Sequence, residues 1–348
     1  MKKNTIESMK KIYASLGDEE SKHLFESRVM YSLTGDYRYV GRMFSDIVEK
    51  KILDEAIREC MLLEGEVVFY GAGNDLKIIR TLYPDLMIDC ICDKDPAKQM
   101  SGWYGIKVIS PEKLLERKQR VHVVIVTTGF HKEIKRFLVE EGIKEEYIID
   151  LGTVMEPLYN RQYFDPDIVL SQEEGVFIDG GCYDCSTSIL FEKWCQGRYT
   201  KIYGFEPDEK NYNKCMERGK HLKNIELINK GLWDCDEILS FSADQGQASG
   251  IVDDGTVVTS IATTFIDRVV RDEPVTFIKL DVEGAELRAL QGARNAIIRN
   301  RPRLAISIYH KAEDIFEIPE YILSLHNDYK LYIRHYQFSD CETILYAI

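Results

Sequence analysis

The chain has 348 residues, a formal net charge of −13, 45% hydrophobic residues and 30% charged residues. This composition is typical of a soluble globular protein, and the length allows two domains plus an extension. The acidic balance argues against a nucleic-acid partner, and no apolar run reaches the ~18 residues of a membrane span. The start MKKNTIESMKK lacks the apolar region of a secretory signal, and nine scattered cysteines indicate reduced thiols. We therefore expect a cytoplasmic protein.

Residues 1–63 contain no convincing strand and are predicted to form a helical extension. In the stretch SDIVEKKILDEAIRECMLLEG, apolar residues recur at helical spacing, and Gly65 stops the helix. These helices are a candidate surface for homo-oligomer formation.

Residues 64–151 alternate short strands with helices, which is the pattern of a small Rossmann-like α/β domain with a parallel sheet. The predicted strands are EVVFY, MIDCICD, VHVVIVTT and YIID. A glycine turn ending at Gly73 follows the first strand, but Leu76 replaces the third glycine of the dinucleotide-binding fingerprint. Asp93, which ends the second strand, could bind a nucleotide ribose. Alternatively, this domain is a docking module without a ligand.

Residues 152–173 are predicted to be a linker with one short helical piece, and a second alternating series occupies residues 174–348. Its predicted strands are GVFID, KIYGFE, IELINKGLW, VTFIKLD and RLAISIY, and the polar insertion SADQGQASGIVDDG separates the third from the fourth. The chain ends with YKLYIRHYQ and ETILYAI, joined by the turn FSDC. No helix separates these last two strands, so we expect an antiparallel hairpin at the edge of a mixed sheet.

Two carboxylates mark the ends of the first two strands of this second series. Asp179 stands beside the glycines Gly180 and Gly181, and Glu206 lies 27 residues later, near the interval expected for an acid that binds a ribose diol. Asp179 would repel a pyrophosphate and attract a cation. A nucleoside with a positive, phosphate-free tail satisfies both carboxylates, and S-adenosylmethionine is such a ligand. The alternative is that both acids are helix caps.

Three more acids and a histidine follow the fourth and fifth strands. Asp281, Glu283 and Glu286 lie in KLDVEGAEL, and His310 lies in SIYHK. A histidine with an ordinary pKa of about 6.5 is a natural general base or orienting group for a substrate hydroxyl. The acids could instead compensate a helix dipole, and His310 could be a satisfied strand-end residue. The group could also hold a divalent metal, which the sequence alone does not assign.

From about residue 175 the chain resembles the FkbM family of S-adenosylmethionine-dependent methyltransferases. The matching pieces occur in order: FIDGGCYDCSTS, YGFEPDEKNY, KGLWD, TTFIDRVV, FIKLDVEGAELRALQGA, AISIYHK, EIPEYI, YIRHY and ETILYAI. The resemblance implies a class I methyltransferase-like fold with S-adenosylmethionine as cofactor. It also implies O-methylation of a sugar or another small-molecule or glycan acceptor.

The strand-end positions and the resemblance together give the candidate site residues. The candidate cofactor-binding residues are Asp179, Gly180, Gly181, Cys182, Tyr183, Glu206 and Asp281, and the candidate catalytic residues are Asp281, His310 and Glu283. Within the first set, the family places Asp179 and Gly181 at the methionine end, Glu206 at the ribose and Asp281 next to the transferred methyl. The family usually has glycine at the position of Cys185 and often asparagine at that of Tyr183. The larger side chains in this sequence are expected to leave less space in the turn than the family has.

The first α/β domain resembles the Rossmann-like domains attached to polysaccharide-biosynthesis enzymes. A different class of function is therefore open: a regulatory or scaffold protein that binds a nucleotide or NAD(P). Cys182 and Cys185 form a CxxC that could indicate zinc or redox chemistry, but no second CxxC accompanies it.

Overall fold

A computed structural model of the chain describes residues 5–170, 174–241 and 259–348. The predicted polar insertion, residues 242–255, and residues 171–173 of the predicted linker lie outside the described residues. The chain divides into two compact units, one built from the described parts of 1–43, 162–336 and 340–348, and the other from 44–161 and 337–339. Among the described segments, no helix is long and apolar enough to cross a membrane.

The N-terminal region is helical, as predicted. Its helices are α1 (Thr5–Ser15), α2 (Glu19–Thr34), α3 (Arg38–Phe44) and α4 (Val48–Met61). Asp18 caps α2 by accepting a 2.8 Å hydrogen bond from the backbone N–H of Ser21, and Gly35 ends the helix at a φ of 65°. In the division of the chain into units, the described residues up to 43 belong with the C-terminal sheet rather than forming a separate extension.

The unit of residues 44–161 contains a five-stranded parallel sheet. Its strands are β1 (Glu66–Tyr70), β2 (Cys90–Cys92), β3 (Lys107–Ile109), β4 (Val121–Ile125) and β5 (Ile148–Asp150), in the order β3-β2-β1-β4-β5. The helices are α5 (Asn74–Leu82), α6 (Pro96–Ser101), α7 (Pro111–Leu115), α8 (His131–Glu140) and α9 (Gly152–Tyr159). Strand β3 and helix α6 were not predicted, because elements of three and six residues are too short to show a period.

The other unit contains the larger sheet. The strands are β6 (Val176–Gly180), β7 (Lys201–Phe205), β8 (Ile225–Ile228), β9 (Gly231–Leu232), β10 (Ile238–Phe241), β11 (Thr259–Thr264), β12 (Val275–Leu280), β13 (Arg303–Ser307), β14 (Leu331–His335) and β15 (Thr343–Ala347). The helices are α10 (Ser186–Trp194), α11 (Glu209–Gly219), α12 (Ile266–Val270), α13 (Glu286–Gln291), α14 (Arg294–Asn300) and α15 (Asp314–Leu325). Seven strands pair in the order β14-β15-β13-β12-β6-β7-β8, while β10, β11 and β9 form a separate small sheet.

The topology confirms the predicted mixed α/β fold. Strands β6, β7, β8, β12 and β13 pair in parallel, and β15 runs antiparallel between β13 and β14. The predicted single strand IELINKGLW is wrong, because the chain leaves the large sheet after β8 and β9 pairs with β11 instead. Asn229, between β8 and β9, stabilises the position where the chain leaves the large sheet. Its side chain donates a 2.9 Å hydrogen bond to the carbonyl of Glu206.

Helix α2 packs against the edge strand β14. Arg334 on β14 forms an ion pair with Asp18 at 2.7 Å, and it also donates to the hydroxyl of Ser21 at 3.0 Å. Arg28 on α2 donates to the carbonyl of Tyr309 at 2.9 Å, just beyond the end of β13. The N-terminal helices therefore complete this unit and support one of its strand ends.

The strand order reverses between β6 and β12. From β6 the sheet extends through β7 to β8, and from β12 it extends through β13 to the hairpin. In open α/β sheets the crevice at such a switch point, outside the carboxyl ends of the strands, is where ligands bind. The core beneath it is aromatic, with Phe177 and Phe191 stacked at a centroid distance of 4.0 Å. A rigid core thus presents the ends of β6, β7, β12 and β13 at one edge.

Candidate active site

The glycine turn after β6 passes directly over the end of β12. Gly181 has a φ of 73°, and a Cβ atom there would lie 1.8 Å from the carbonyl oxygen of Asp281, so only glycine fits. The N–H groups of Gly181 and Cys182 both donate to the carbonyl of Phe205 at 3.0 Å. These two amides are used inside the protein and are not offered to a phosphate, as they are in phosphate-binding glycine loops.

Asp179 is fully buried and paired with a lysine that the sequence analysis had not singled out. Its carboxylate lies 3.1 Å from the ammonium of Lys279 and accepts a 2.7 Å hydrogen bond from Ser188. Burial acts to lower the pKa of Lys279, but the carboxylates of Asp179 and Asp281 outweigh it and raise that pKa above its ordinary value. The cation beside Asp179 in this structure is therefore Lys279.

Lys279 also ties this ion pair to the glycine turn. Its ammonium donates to the carbonyls of Gly180 at 3.0 Å and Gly181 at 2.7 Å. The same ammonium lies 5.1 Å from the ring centroid of Tyr163. The conformation of the turn therefore depends on a charge near the C-terminal end of β12.

Glu206 lies at the end of β7, beside the glycine turn. One carboxylate oxygen accepts from the N–H of Tyr183 at 3.0 Å and the other from the N–H of Asp208 at 2.9 Å. Burial raises the pKa of Glu206, and these hydrogen bonds act in the opposite direction. Each carboxylate oxygen has a second lone pair, so Glu206 is fixed in place and can still accept from a diol.

Left-handed backbone is concentrated at this edge of the sheet. Tyr183 and Cys185, the positions where the family has asparagine and glycine, have φ values of 51° and 68°. The turn therefore keeps the conformation that glycine and asparagine favour, although its side chains are bulkier. Tyr163, Glu283 and Glu342 also have positive φ, at 69°, 53° and 64°. Strained residues of this kind cluster at functional sites because the surrounding structure must hold them.

Asp281 is held between two phenols. Tyr163 donates to one oxygen at 2.6 Å, and Tyr309 donates to the other at 3.2 Å. Burial raises the pKa of both tyrosines above the ordinary value, and the charge of Asp281 adds to this effect, so both remain hydrogen-bond donors. The two bonds fix the orientation of the Asp281 carboxylate at the mouth of the site.

His310 lies among three acids, as the positions of the strand ends predicted. Its Nδ1 atom is 2.9 Å from Glu286, and its Nε2 atom is 3.5 Å from Asp281 and 3.4 Å from Glu283. Burial acts to lower the pKa of His310, but the three carboxylates outweigh it and raise the pKa to about 9. The surrounding carboxylates therefore favour the protonated form of His310, which makes it a poorer proton acceptor than an ordinary histidine.

Four side chains at this edge escaped the sequence analysis: Lys279, Tyr163, Tyr309 and Glu342. Lys279 had a readable signal, since a charged residue within the apolar strand VTFIKLD requires a buried partner. Glu342 is half-buried and accepts from Gln162, and burial together with Asp281 raises its pKa to about 7. Tyr163 and Glu342 are far from the strand-end motifs in the sequence and had no local signal.

Two other sequence candidates have partners inside the protein. The Asp93 carboxylate accepts from the N–H groups of Ala72 at 2.8 Å and Asp95 at 2.9 Å, so it closes the glycine turn of the 44–161 unit. The sulfur of Cys182 lies 3.5 Å from the sulfur of Cys215. All nine cysteines are free thiols.

The fold is a mixed α/β fold of the class I methyltransferase type, and Glu206, Asp281, Glu283, Glu286 and His310 lie together at one edge of its large sheet. Residues 179–339 match the family model described as "Methyltransferase FkbM domain", which confirms the resemblance carried by the motifs. This region of the chain is therefore similar to the FkbM methyltransferase domain. No curated protein sequence matches the chain.

Several solved structures are similar to the chain. Methyltransferase FkbM from Methylobacillus flagellatus KT is 18% identical, with 95% of this chain and 99% of that chain covered and a TM-score of 0.49. Aeropyrum pernix fibrillarin, solved with S-adenosyl-L-methionine, is 12% identical over 52% of this chain and 69% of that one, with a TM-score of 0.34. A SAM-dependent methyltransferase from Aquifex aeolicus is 15% identical over 56% of this chain and 96% of that one, with a TM-score of 0.30.

Proposed function

We propose that the protein transfers a methyl group from S-adenosylmethionine to a hydroxyl of a sugar or another small-molecule or glycan acceptor. The observation that carries this proposal is the fixed Asp281 carboxylate, which stands at the same sheet edge as Glu206 and next to the glycine turn. The resemblance of residues 64–151 to domains of polysaccharide-biosynthesis enzymes favours a sugar acceptor. The free thiols fit a reducing compartment such as the cytoplasm.

Glu206 is the proposed ribose ligand. Its carboxylate is anchored by two backbone N–H groups and can accept from both hydroxyls of the ribose, which is a charge-assisted arrangement. Gly180, Gly181, Cys182 and Tyr183 form the turn along which the methionine end of the cofactor would lie. Asp179 acts on that end through Lys279 and the turn, since its carboxylate is already paired.

The chemistry requires alignment and one proton transfer. The acceptor oxygen attacks the methyl carbon in line with the C–S bond, the sulfonium sulfur keeps the bonding electron pair, and the hydroxyl proton must leave. Asp281 is the proposed proton acceptor. His310, whose protonated form the neighbouring acids favour, would stabilise the Asp281 and Glu283 carboxylates, and Glu283 at the exposed mouth would contact the acceptor.

The cofactor assignment is tested by calorimetry with S-adenosylmethionine. We expect Glu206→Ala to weaken binding at least roughly tenfold, because charge-assisted hydrogen bonds contribute about 1.5–3 kcal/mol. Glu209→Ala, at an exposed glutamate on the adjacent helix, is the control and should bind normally. Unchanged affinity in folded Glu206→Ala would exclude the ribose assignment.

The acceptor assignment is tested with a labelled methyl donor and pools of sugars and nucleotide sugars. We expect a hydroxyl-bearing acceptor to take up the label. Asp281→Asn should lower turnover at least roughly a hundredfold, since a positioned base contributes about 10²–10⁴ in rate. Label transferred only to nitrogen or carbon acceptors would contradict O-methylation.

A further inference from the structure

Three side chains at the mouth of β12 and β13 converge on one small volume. Ligand atoms of Asp281, Glu286 and His310 all lie within 4.8 Å of one another. One ion with metal–ligand bonds of about 2.0–2.4 Å can contact three atoms spaced in this way. The set combines two carboxylates with an imidazole and comes from two adjacent strand ends.

The buried atoms of this cluster lack ordinary partners. Glu286 is fully buried; its Oε1 atom accepts from the N–H groups of Val282 at 2.8 Å and Gly284 at 3.3 Å. Its Oε2 atom is buried and has no hydrogen-bond partner among the residues that the structure describes. Both ring nitrogens of His310 are also buried and without a hydrogen-bond partner, because the N–H directions are poorly aligned with the nearby carboxylate oxygens. A buried polar atom without a hydrogen-bond partner normally destabilises a protein by about 1–3 kcal/mol. A ligand that contacts these three atoms would explain why the protein keeps them buried.

The outer contacts are those of metal-binding carboxylates. Ligating side chains are usually fixed by hydrogen bonds from a surrounding shell. Tyr163 and Tyr309 fix Asp281, and two backbone amides fix Glu286 through Oε1 while leaving Oε2 free. A second group of potential ligands, which includes Glu237, is largely exposed and has no such orphaned atom.

We propose that Asp281, Glu286 and His310 form a binding site for a divalent cation of the Mg²⁺ or Mn²⁺ type. The carboxylate oxygens suit such hard cations, and the imidazole supplies a nitrogen ligand in its neutral form. Glu283, whose carboxylate is 3.4 Å from Nε2 of His310, stands at the exposed mouth and can add a fourth ligand. This inference rests on the proposed function for its purpose, which is to polarise the acceptor oxygen by Lewis acidity.

The test is a Mn²⁺ titration of the full-length protein after treatment with a chelator, with free Mn²⁺ measured by electron paramagnetic resonance. We expect one saturable Mn²⁺ per chain. His310→Ala and Glu286→Gln should each weaken binding at least roughly tenfold, and Glu237→Gln is the matched control with unchanged binding. Circular dichroism checks folding, and His310→Ala serves if Glu286→Gln does not fold. No saturable Mn²⁺, unaltered binding in folded His310→Ala, or loss of binding in Glu237→Gln would each overturn the site.

Calorimetry with S-adenosylmethionine on the same samples separates this inference from the proposed function. Cofactor binding and methyl transfer in a protein that takes up no Mn²⁺ would overturn the cation site alone. Saturable Mn²⁺ that depends on His310, in a protein that binds no S-adenosylmethionine, would support the cation site and overturn the methyltransferase proposal.

Discussion

Replacing Lys279 by methionine is expected to destabilise the unit that contains the seven-stranded sheet and to disorder the glycine turn after β6. The change leaves Asp179 charged, buried and without a counter-ion, although its hydrogen bond from Ser188 remains. It also removes the ammonium that holds the carbonyls of Gly180 and Gly181. We therefore expect loss of folding stability and loss of cofactor binding together.

The magnitude follows from the geometry of the pair. At 3.1 Å and an effective dielectric constant of about 20, the attraction between the charges of Lys279 and Asp179 is about 5 kcal/mol. The desolvation of both groups offsets much of this in the intact protein. Removing one partner leaves the penalty on the other, and such changes lower the free energy of unfolding by about 3–5 kcal/mol.

The assay is equilibrium unfolding in urea, followed by the fluorescence of Trp194 and Trp233. A Trp103→Phe background removes the remaining tryptophan, which lies in the 44–161 unit. The double variant Asp179→Asn with Lys279→Met carries neither charge and keeps a polar group for Ser188. We expect its loss of stability to be smaller than the sum of the single losses by at least about 2 kcal/mol. Additive losses would refute the buried ion pair as the organising interaction.

Two further predictions concern the turn and the N-terminal helices. Tyr183→Asn should raise the free energy of unfolding by up to about 1 kcal/mol, because asparagine tolerates the left-handed backbone that tyrosine adopts here; lower stability in urea would contradict this. For Asp18, partial burial acts to raise the pKa, but hydrogen bonds from Arg334 and Ser21 outweigh it and lower the pKa to about 2. A pKa below the unfolded value of about 3.8 means that the charge of Asp18 stabilises the protein above that pH, and that this stabilisation disappears as the pH falls toward 2. The stability difference between wild type and Asp18→Asn, which keeps the helix cap, should therefore shrink over that interval, and a difference independent of pH would rule out the ion pair.

Much of the architecture could be predicted because local patterns of apolar and polar residues indicate the strands and helices. Apolar runs such as EVVFY and VFIDG are strands in the structure, and the hairpin at the C-terminus was evident from the absence of an intervening helix. The failures involve short elements, such as β3, or a chain that changes sheets, as between β8 and β9. In those places the pairing partner, rather than the local sequence, decides the strand.

The convergence of the candidate site residues was also readable from the sequence. Asp179, Glu206, Asp281 and His310 each follow or end a predicted strand, and the carboxyl ends of parallel strands meet at one edge. That rule places side chains in the same neighbourhood. It does not say which of them contact one another or which carry a proton.

Those contacts were decided by tertiary structure. Lys279 meets Asp179 across 100 residues of sequence, and Tyr163 meets Asp281 across 118. The raised pKa of His310 likewise depends on where three acids lie around a buried ring. The periodicity of a sequence determines which face of an element is buried, because burial follows from polarity. The partner of a buried charge depends on distances that only the packed chain sets, and here those distances made Asp179 part of an ion pair and raised the pKa of His310.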